Sequence, residues 1–594
     1  MSLKNKGRGR TRSAIFKVLS WAFGIPLALI AIAVLACVWL HATADLGEPE
    51  FVPSQVPVVQ VNDSLRRWGS SSLRIDPDGL YEMRVCGGPF ERGEAIGKLG
   101  ADLLYQQEKA FADKLFEMVP SSRYRAFLHY FITIFNRRLG ASVPLEYRQE
   151  IKAMSASCTH EFDDFGNPYE RQMQYHSAHD IGHVMQDYML VGCTSFAVWG
   201  RESADSSLLM ARNFDFYMGE EFAKNKLVLF EQPDSGYAYV SVTWPGMLGV
   251  VSGMNTEGLA VTINASKLEV PSSSATPISI LVKSILQYAS NIEEAETIAA
   301  SFKTFVCESI LVGSANDGRA VIIEKTPSAM GIYSPEGRSE SGRMTVDSSA
   351  NVVSPLGDAS SSATRIICTN HYQSDRFRDD PVNVENIRVS DSGYRYRRVQ
   401  QLLDSLGTID YLEAASVLRD IMGVDGEDVG YCNDLSINQM LAMHSVIFKP
   451  AEKKIWVSTS PWQFGKFVCF DLDEVFGIFP CSSFSDNVTG FSDVDLSIPA
   501  DKFLETEAFR NVLKFKAMQQ ALAAASKSRR EVPADSLALF VSWNPSYYGT
   551  YVSVASYLES RGKNAEADEY YRRALTCPMK LSERHHLQTR LRVR

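Results

Sequence analysis

The sequence lacks the short motifs that mark several large enzyme classes. It has no G-x-S-x-G nucleophile elbow, no glycine-rich phosphate loop and no dinucleotide-binding fingerprint. These absences argue against an elbow-type serine hydrolase and against a nucleotide-dependent enzyme. It also has no H-E-x-x-H motif, no C-x-x-C pair and no zinc-ribbon spacing. The common zinc-site patterns are therefore missing.

The chain also has no excess of positive charge. The 594 residues include 60 Lys and Arg against 70 Asp and Glu, which gives a net charge of −10. Proteins that bind nucleic acids neutralise phosphates with a basic face, so the composition argues against a nucleic-acid partner. The 10 cysteines are spread thinly along the chain, which permits a few disulfides without requiring them.

Charged side chains are absent from Val18 to Ala44. This apolar run is long enough to cross the roughly 30 Å hydrocarbon core of a bilayer as a helix. The basic residues before it predict a cytoplasmic tail over 1–17, so the chain after Asp45 lies on the other side. We therefore predict a transmembrane signal anchor over 18–44 and a membrane-tethered body that is periplasmic, extracellular or lumenal. The alternative is a signal peptide cleaved after Ala42-Thr43-Ala44.

The periodicity of the apolar residues changes at Cys193. Before it, a linker is predicted over 45–71, and segments with helical spacing follow. After it, short runs rich in β-branched and aromatic residues predict strands interrupted by helical blocks. This pattern predicts an α+β fold in which antiparallel sheets are covered by helices. The sheet pattern stops at about 475, and 476–594 is predicted to be a helical extension with one tetratricopeptide-like hairpin. A protein partner at that extension is left open.

Five motifs with polar or reactive residues follow one another along the chain. They are LVGCTSFAVWG with Gly192 and Cys193, MARNFDFY with Arg212, Asn213 and Asp215, MNTEGLAVTINAS with Asn264, IICTNHYQS with Asn370, and YRYRRVQQLL with Arg395 and Arg398.

This series resembles the branch of the N-terminal-nucleophile (Ntn) hydrolases that contains choloylglycine hydrolases and acyl-CoA:6-aminopenicillanic acid acyltransferase. The acyltransferase-type C45 peptidases look most similar, because they too carry a long propeptide that ends in Gly before the Cys. The resemblance covers about 75–475 and implies a four-layer αββα sandwich. It departs from the bile-salt hydrolase subgroup, in which the Cys follows the initiator Met.

The resemblance implies that the Gly192–Cys193 bond is cleaved by the protein itself and that Cys193 is the nucleophile. The new α-amino group would be the general base, since its usual pKa of about 7.7 to 8.0 suits that role. The other roles are assigned by position in the motifs. Arg212 would favour the thiolate, Asp215 would orient the ammonium group, and Arg395 would brace the set. Asn264 and Asn370 would donate to the oxyanion.

The implied domains are a propeptide over 72–192, retained as a smaller chain, and a catalytic domain over 193–475. The implied reaction is hydrolysis of linear amide bonds, or transfer of their acyl groups, through an acyl-enzyme thioester. It needs neither a metal nor an organic cofactor. The partners are a small acyl amide or acyl donor and, through the N-terminal helix, the membrane. Two rivals are a phospholipase B-like esterase on the same scaffold and a non-catalytic, membrane-anchored scaffold protein.

Each predicted site residue also has a plainer interpretation. A buried Cys193 alone is usually a small hydrophobic residue, and Arg212 with Asp215 is usually a solvated pair. Asn264 and Asn370 are usually turn or capping residues, and Asn264 also begins an Asn-Ala-Ser glycosylation triplet. The Arg395 motif alone is usually a basic helix start. All of these plainer interpretations would have to be correct at once, although the residues follow the motif order of one family.

Three histidines lie just upstream of Cys193. His179 and His183 are four residues apart, a spacing that can place two imidazole groups on one helix face for a metal. No third ligand can be named, so we interpret these two and His176 as core or surface residues. A place beside the cleavage site is a further alternative.

Overall fold

The computed structural model describes 7–184, 192–216, 218–271, 273–335, 363–477, 491–528 and 530–592. The side chains of 7–24, 178–179 and 181–184 are not part of that description.

The α-helices of the described chain lie in three groups: an N-terminal group, helices interleaved with strands, and a C-terminal group. They are α1 Gly7–Ala42, α2 Pro89–Leu99, α3 Ala101–Met118, α4 Ser122–Phe135, α5 Leu139–Ser142, α6 Leu145–Ser155, α7 Pro168–Val184, α8 Ile278–Tyr288, α9 Ile292–Ser301, α10 Pro381–Val389, α11 Ser392–Leu406, α12 Tyr411–Leu418, α13 Leu472–Gly477, α14 Glu507–Ser528, α15 Ala534–Trp543, α16 Tyr548–Ser560, α17 Asn564–Ala574 and α18 Leu581–Arg592.

The strands form two sheets. They are β1 Val59–Asn62, β2 Leu65–Trp68, β3 Ser71–Ile75, β4 Tyr81–Gly87, β5 Thr194–Val198, β6 Leu209–Phe214, β7 Leu227–Pro233, β8 Tyr239–Thr243, β9 Ser252–Asn255, β10 Leu259–Ala265, β11 Glu308–Ser314, β12 Arg319–Lys325, β13 Met330–Tyr333, β14 Arg365–Cys368, β15 His444–Lys449, β16 Lys454–Ser458, β17 Phe467–Asp471 and β18 Ser492–Ile498. One sheet has 11 strands in the order β1-β2-β3-β4-β7-β8-β9-β10-β11-β12-β13, and the other has 7 in the order β14-β5-β6-β15-β16-β17-β18.

The predicted mixture of helices and sheets is confirmed. Neighbouring strands are antiparallel, as predicted, except that β4 and β7 pair in parallel. This pair joins the segment before Cys193 to the segment after it, so strands from both sides of the predicted cleavage site share one sheet.

Strand β11 illustrates how the apolar side chains are divided between two cores. Leu311 belongs to a cluster that contains residues of both sheets, including Phe230 and Val446. Its neighbours Ile310 and Val312 point to the opposite face and pack in the cluster that includes helix α8. This division follows from the two-residue period of a strand. On the other sheet, β5 and β6 contribute to a further cluster with α11 and α12.

Two predicted boundaries differ from the structure. The predicted linker over 45–71 contains β1 and β2 and reaches β3, and these strands extend the larger sheet. All four side chains of β1, VQVN, are exposed, so its two valines alternate with polar residues without facing a buried core. The sheet pattern also continues past 475, because β18 pairs with β17. Its sequence SDVDLSI alternates polar and apolar residues and has only its last residue buried; its acidic side chains are of the kind that protect an edge strand.

Helix α1 contains the predicted anchor. The 18 residues Ile25–Ala42 have a mean hydropathy of 2.4, and none of them is buried in the fold. By length and composition this helix can cross a membrane. At its end the ring of His41 stacks on that of Tyr130 in α4, with centroids 4.3 Å apart.

Candidate active site around Cys193

Cys193 lies immediately before β5, in the buried interior. Strand β5 pairs with β6 so that Ser195 lies opposite Arg212, and this register brings the arginine alongside the cysteine. The Nη2 atom of Arg212 is 3.4 Å from the Sγ atom of Cys193. The guanidinium group is held in place because it also donates to the carbonyl oxygens of Val251 and Ile263 in the opposite sheet.

Burial and Arg212 have opposite effects on the thiol of Cys193. Burial raises the pKa of Cys193, and the positive charge of Arg212 lowers it. The net direction is upward, so the thiol form is favoured in the uncut chain. In the uncut chain the positive charge of Arg212 opposes the upward shift in the pKa of Cys193 without cancelling it.

Asp215 follows β6 and is fully buried. Its two carboxylate oxygens accept no hydrogen bond from the described part of the chain. Burial raises the pKa of Asp215 to about 8, although Arg395 and Arg212 oppose the shift. The backbone carbonyl of Asp215 accepts a hydrogen bond of 3.1 Å from the N–H of Gly192. An unpaired, buried carboxyl group thus lies next to the predicted cleavage site.

Asn264 and Asn370 are held by hydrogen bonds on both sides of their amide groups. The Oδ1 atom of Asn264 accepts from the Ser195 hydroxyl at 2.8 Å, and its Nδ2 atom donates to the carbonyl of Cys368 at 3.0 Å. The Nδ2 atom of Asn370 donates to the carbonyl of Ala265 at 2.8 Å. An amide NH2 group has two hydrogens, so each side chain retains one donor beyond these bonds. Asn264 is completely buried.

Arg395 links three of the motifs. Its Nη1 atom donates to the carbonyl oxygen of Cys193 and to Thr194 Oγ1, both at 2.7 Å. Its Nη2 atom donates to Asn370 Oδ1 at 2.6 Å and to Asp391 at 2.8 Å. Arg395 therefore forms hydrogen bonds with Cys193 and with Asn370, and Asp391 is a partner that the motifs did not indicate.

Two other motif residues have different surroundings. Asn213 points away from Cys193, because alternate residues of β6 face opposite sides, and its Nδ2 atom donates to the carbonyls of Leu418 and Ile437. Arg398 forms a two-fold hydrogen bond with Asp420, at 2.8 Å in both cases. Asn213 and Arg398 therefore hold the chain around 418–420 in place, and Asn213 also holds Ile437.

Three residues at the site lie outside the five sequence motifs. The hydroxyl of Ser252 accepts a hydrogen bond from Arg212 and lies 2.9 Å from the Nε2 atom of His444. Gln439 donates from Nε2 to the carbonyl oxygen of Gly192 at 3.2 Å. Each comes from a strand or loop far from Cys193 in sequence, so only the folded chain brings them together.

The upstream histidines are only partly described. His176 is buried, with Nδ1 2.7 Å from the carbonyl of Gln172, and its Nε2 atom accepts from the N–H of Leu248 at 3.0 Å. Burial lowers the pKa of His176 to about 4, so it is a neutral core residue. The side chains of His179 and His183 lie outside the described residues.

Residues 201–460 match the family acyl-coenzyme A:6-aminopenicillanic acid acyl-transferase, and this match confirms the predicted resemblance over that region. The matched region includes Arg212, Asp215, Asn264, Asn370 and Arg395, whereas Gly192 and Cys193 precede it.

An uncharacterized protein of Archaeoglobus fulgidus is 24% identical to this chain over 426 residues, which is 65% of this chain. This chain spans 65% of that relative's own length.

Two similar solved structures are those of enzymes. The Caenorhabditis elegans ortholog of N-acylethanolamine-hydrolyzing acid amidase is 18% identical, has a TM-score of 0.29, and matches over 44% of this chain and 93% of its own. Penicillin V acylase from Agrobacterium tumefaciens is 14% identical, also has a TM-score of 0.29, and matches over 48% of this chain and 87% of its own.

Proposed function

We propose that this protein is an Ntn amidohydrolase or acyltransferase that cleaves its own Gly192–Cys193 bond and then uses Cys193 as the nucleophile. The observation that carries the proposal is the pair of buried arginines at Cys193. Arg212 donates to its sulfur at 3.4 Å, and Arg395 donates to its carbonyl oxygen at 2.7 Å. A cysteine kept only for packing needs neither contact.

In the proposed self-cleavage, the sulfur of Cys193 attacks the carbonyl carbon of Gly192. The C–S bond forms, and the carbonyl electron pair moves to oxygen. When the tetrahedral intermediate collapses, the C–N bond breaks and the nitrogen of Cys193 takes a proton. Water then hydrolyses the thioester, which leaves a carboxylate on Gly192 and a free thiol and α-amino group on Cys193.

The free α-amino group then supplies the general base that the uncut chain lacks. Its usual pKa is about 7.7 to 8.0, so it can accept the thiol proton near neutral pH. The buried carboxylate of Asp215, close to the new terminus, would hydrogen-bond the ammonium group. This pairing would lower the pKa of Asp215 again, because a neighbouring cation favours the carboxylate.

The substrate reaction repeats this chemistry on an acyl amide. The thiolate attacks the substrate carbonyl, the leaving amine takes a proton from the α-ammonium group, and an acyl thioester remains on Cys193. Water completes hydrolysis, and an amine acceptor completes acyl transfer. Asn264 and Asn370 each have one free amide hydrogen for the oxyanion, a role that is worth about 3 to 4 kcal/mol per donor in other enzymes. No metal or organic cofactor takes part.

We further propose a four-layer αββα sandwich in which the segment before Cys193 remains bound after cleavage. The cluster shared by the two sheets and the clusters between each sheet and its helices support this layer order. Strands β1 to β4 support retention, because they belong to the larger sheet.

The proposed location is a membrane-anchored enzyme with its body outside the cytoplasm. The unburied apolar segment Ile25–Ala42 supports the anchor. Cys86 is disulfide-bonded, which supports an oxidising compartment. Tethering at a bilayer favours a substrate with a lipid-like acyl chain.

Denaturing electrophoresis and N-terminal sequencing of the purified protein test the proposal. The expected result is two chains, one of which begins at Cys193. The variant Cys193→Ala should give a single chain without activity. A single uncut wild-type chain that is fully active would contradict the proposed chemistry. An uncut, inactive chain would favour the non-catalytic scaffold, and turnover of ester lipids without amides would favour the phospholipase B-like esterase.

A further inference from the structure

Gln439 contacts the atom on which charge develops during the proposed self-cleavage. Its Nε2 atom donates to the carbonyl oxygen of Gly192 at 3.2 Å. When the sulfur of Cys193 adds to the Gly192 carbonyl carbon, that oxygen becomes an oxyanion, and a donor already aimed at it stabilises the charge without reorganisation. Gln439 is 3% exposed, so water does not screen this interaction strongly.

The absence of a side chain at Gly192 leaves room for the side chain of Gln439. A Cβ atom on residue 192 would lie 2.6 Å from the Nε2 atom of Gln439 and 3.2 Å from its Oε1 atom. Any side chain at 192 would therefore push the glutamine amide away from the carbonyl that it contacts. A glycine is needed before Cys193 because Gln439 occupies the space that a Cβ atom would fill.

The backbone around Gln439 is fixed on both sides. The Oδ1 atom of Asn438 accepts from the N–H of Met440 at 3.0 Å, and the N–H of Asn438 donates to the carbonyl of Asp420 at 2.8 Å. Met440 has φ of +54°, a left-handed conformation that is unfavourable for a side chain of its size. Such a backbone persists when its surroundings hold it.

The C-terminal helices provide those surroundings. The Nζ atom of Lys516 in α14 donates to the carbonyl of Met440 at 2.9 Å. Asn544, which follows α15, exchanges two hydrogen bonds with the backbone of Tyr431, at 2.9 and 3.0 Å. Lys580, which precedes α18, forms a 2.7 Å ion pair with Asp434. The extension beyond the matched family region therefore holds the 431–440 loop at several points.

We infer that Gln439 is the hydrogen-bond donor that stabilises the oxyanion in the cleavage of the Gly192–Cys193 bond, and that the C-terminal helices hold it in position. This inference rests on the self-cleavage proposed above. In the step concerned, the C–S bond forms as the carbonyl electron pair moves to the Gly192 oxygen, next to Gln439 Nε2. As the C–N bond breaks, that pair re-forms the carbonyl of the thioester.

The test compares the rate of self-cleavage in Gln439→Met with that of the wild-type chain. Methionine keeps the length of the side chain and removes the donor. From the usual effect of removing one oxyanion donor, we expect cleavage to be about 100-fold slower. Gln107→Met is the matched control, since Gln107 is also buried and donates to a backbone carbonyl, that of Phe222 at 3.1 Å. It should cleave at the wild-type rate.

Two further measurements separate a catalytic effect from a folding effect. Thermal unfolding of Gln439→Met in a Cys193→Ala background should match that of Cys193→Ala alone within the range of the control. Gly192→Ala should slow cleavage in the wild-type background and much less in a Gln439→Ala background, because the clash is then removed. Additive effects of the two changes would contradict the inferred contact.

Lys516→Met tests the part played by the extension. Loss of its bond to Met440 should slow cleavage by less than Gln439→Met does, and it should have no further effect when the two changes are combined. Wild-type cleavage in Gln439→Met, with Cys193→Ala still uncut, would overturn the inference and leave the proposed function standing. An uncut, active wild-type chain would instead overturn the proposed function.

Discussion

The Nη2 atom of Arg212 on β6 lies 3.4 Å from the Sγ atom of Cys193, which immediately precedes the neighbouring strand β5. The guanidinium group also reaches the other sheet, where it donates to Val251 and Ile263. Arg212 thus connects Cys193, next to one sheet, with the backbone of the second sheet. Arg212 has both an electrostatic and a positioning effect on the thiol.

Arg212→Lys should lower kcat/KM and the rate of self-cleavage by about 100-fold or more, because lysine cannot make several planar contacts at once. The measurement is the rate of chain cleavage, followed by turnover of an acyl-amide substrate. Arg66→Lys is the matched control, since Arg66 also forms a two-fold hydrogen bond, with Asp102 and away from Cys193, and it should stay within about twofold of the wild type. Unchanged rates in Arg212→Lys would contradict the role of the guanidinium group.

Asp215 should make the uncut protein less stable as the pH rises. Its pKa in the folded chain is about 8, above the ordinary value of 3.8. A group with a raised pKa contributes stability that is fully present below its unfolded pKa and is lost as the pH rises through the folded pKa. In the Cys193→Ala background, stability should therefore fall between about pH 4 and pH 8, by at most about 1.4 kcal/mol per pH unit from this group.

Urea unfolding at a series of pH values measures that slope. Asp215→Asn in the same background should lose the part of the slope that belongs to this carboxyl group. Equal slopes in the two proteins would mean that Asp215 is ionised at low pH in the folded chain. In the cleaved wild-type protein the slope should be smaller, since the α-ammonium group of Cys193 would then face the carboxylate.

A buried group of four charges joins the segments on either side of the cleavage site. Lys283 Nζ lies 2.9 Å from Glu150 and 3.1 Å from Glu231, and Arg92 lies 3.4 and 3.5 Å from the same two carboxylates. Arg92 and Glu150 precede the proposed cleavage site, whereas Glu231 and Lys283 follow it. The group therefore links the two segments that the proposed cleavage would separate.

Lys283→Met should destabilise the protein by about 3 to 5 kcal/mol, because it leaves two carboxylates against a single buried cation. The measurement is the urea midpoint, together with the salt concentration at which the two cleaved chains separate. Lys453→Met is the control, as its ion pair with Asp473 lies near the surface and is worth less than about 1 kcal/mol. A change no larger than that of the control would show that the four charges do not secure the chains.

Removal of residues 1–44 should release the protein from membranes without changing self-cleavage. Ile25–Ala42 is unburied, so its loss removes little packing from the body. The measurement is the distribution between membrane and soluble fractions, with the two-chain pattern as a test of folding. A truncated protein that stays in the membrane fraction would point to a second membrane contact.

Several parts of the fold were predictable because their signal is local. The strands after Cys193 alternate or cluster β-branched residues, and the helical blocks that interrupt them include α8, α9, α11 and α12. Strands β1 and β18 were missed although VQVN and SDVDLSI alternate apolar and polar residues, because these edge strands are largely exposed and have no continuous buried face. Their place in the sheets depends on pairing with distant strands.

The sequence by itself determined the order of the motifs, the apolar N-terminal run and the identity of the reactive residue types. These are local properties, legible in a few neighbouring residues. Only the tertiary structure decided that Ser252 meets both Arg212 and His444 and that Gln439 meets Gly192. It also decided that Asp215 is buried without a hydrogen-bond partner in the described part of the chain. Desolvation and contact arise when separate strands and loops pack together, and no short stretch of sequence carries that information.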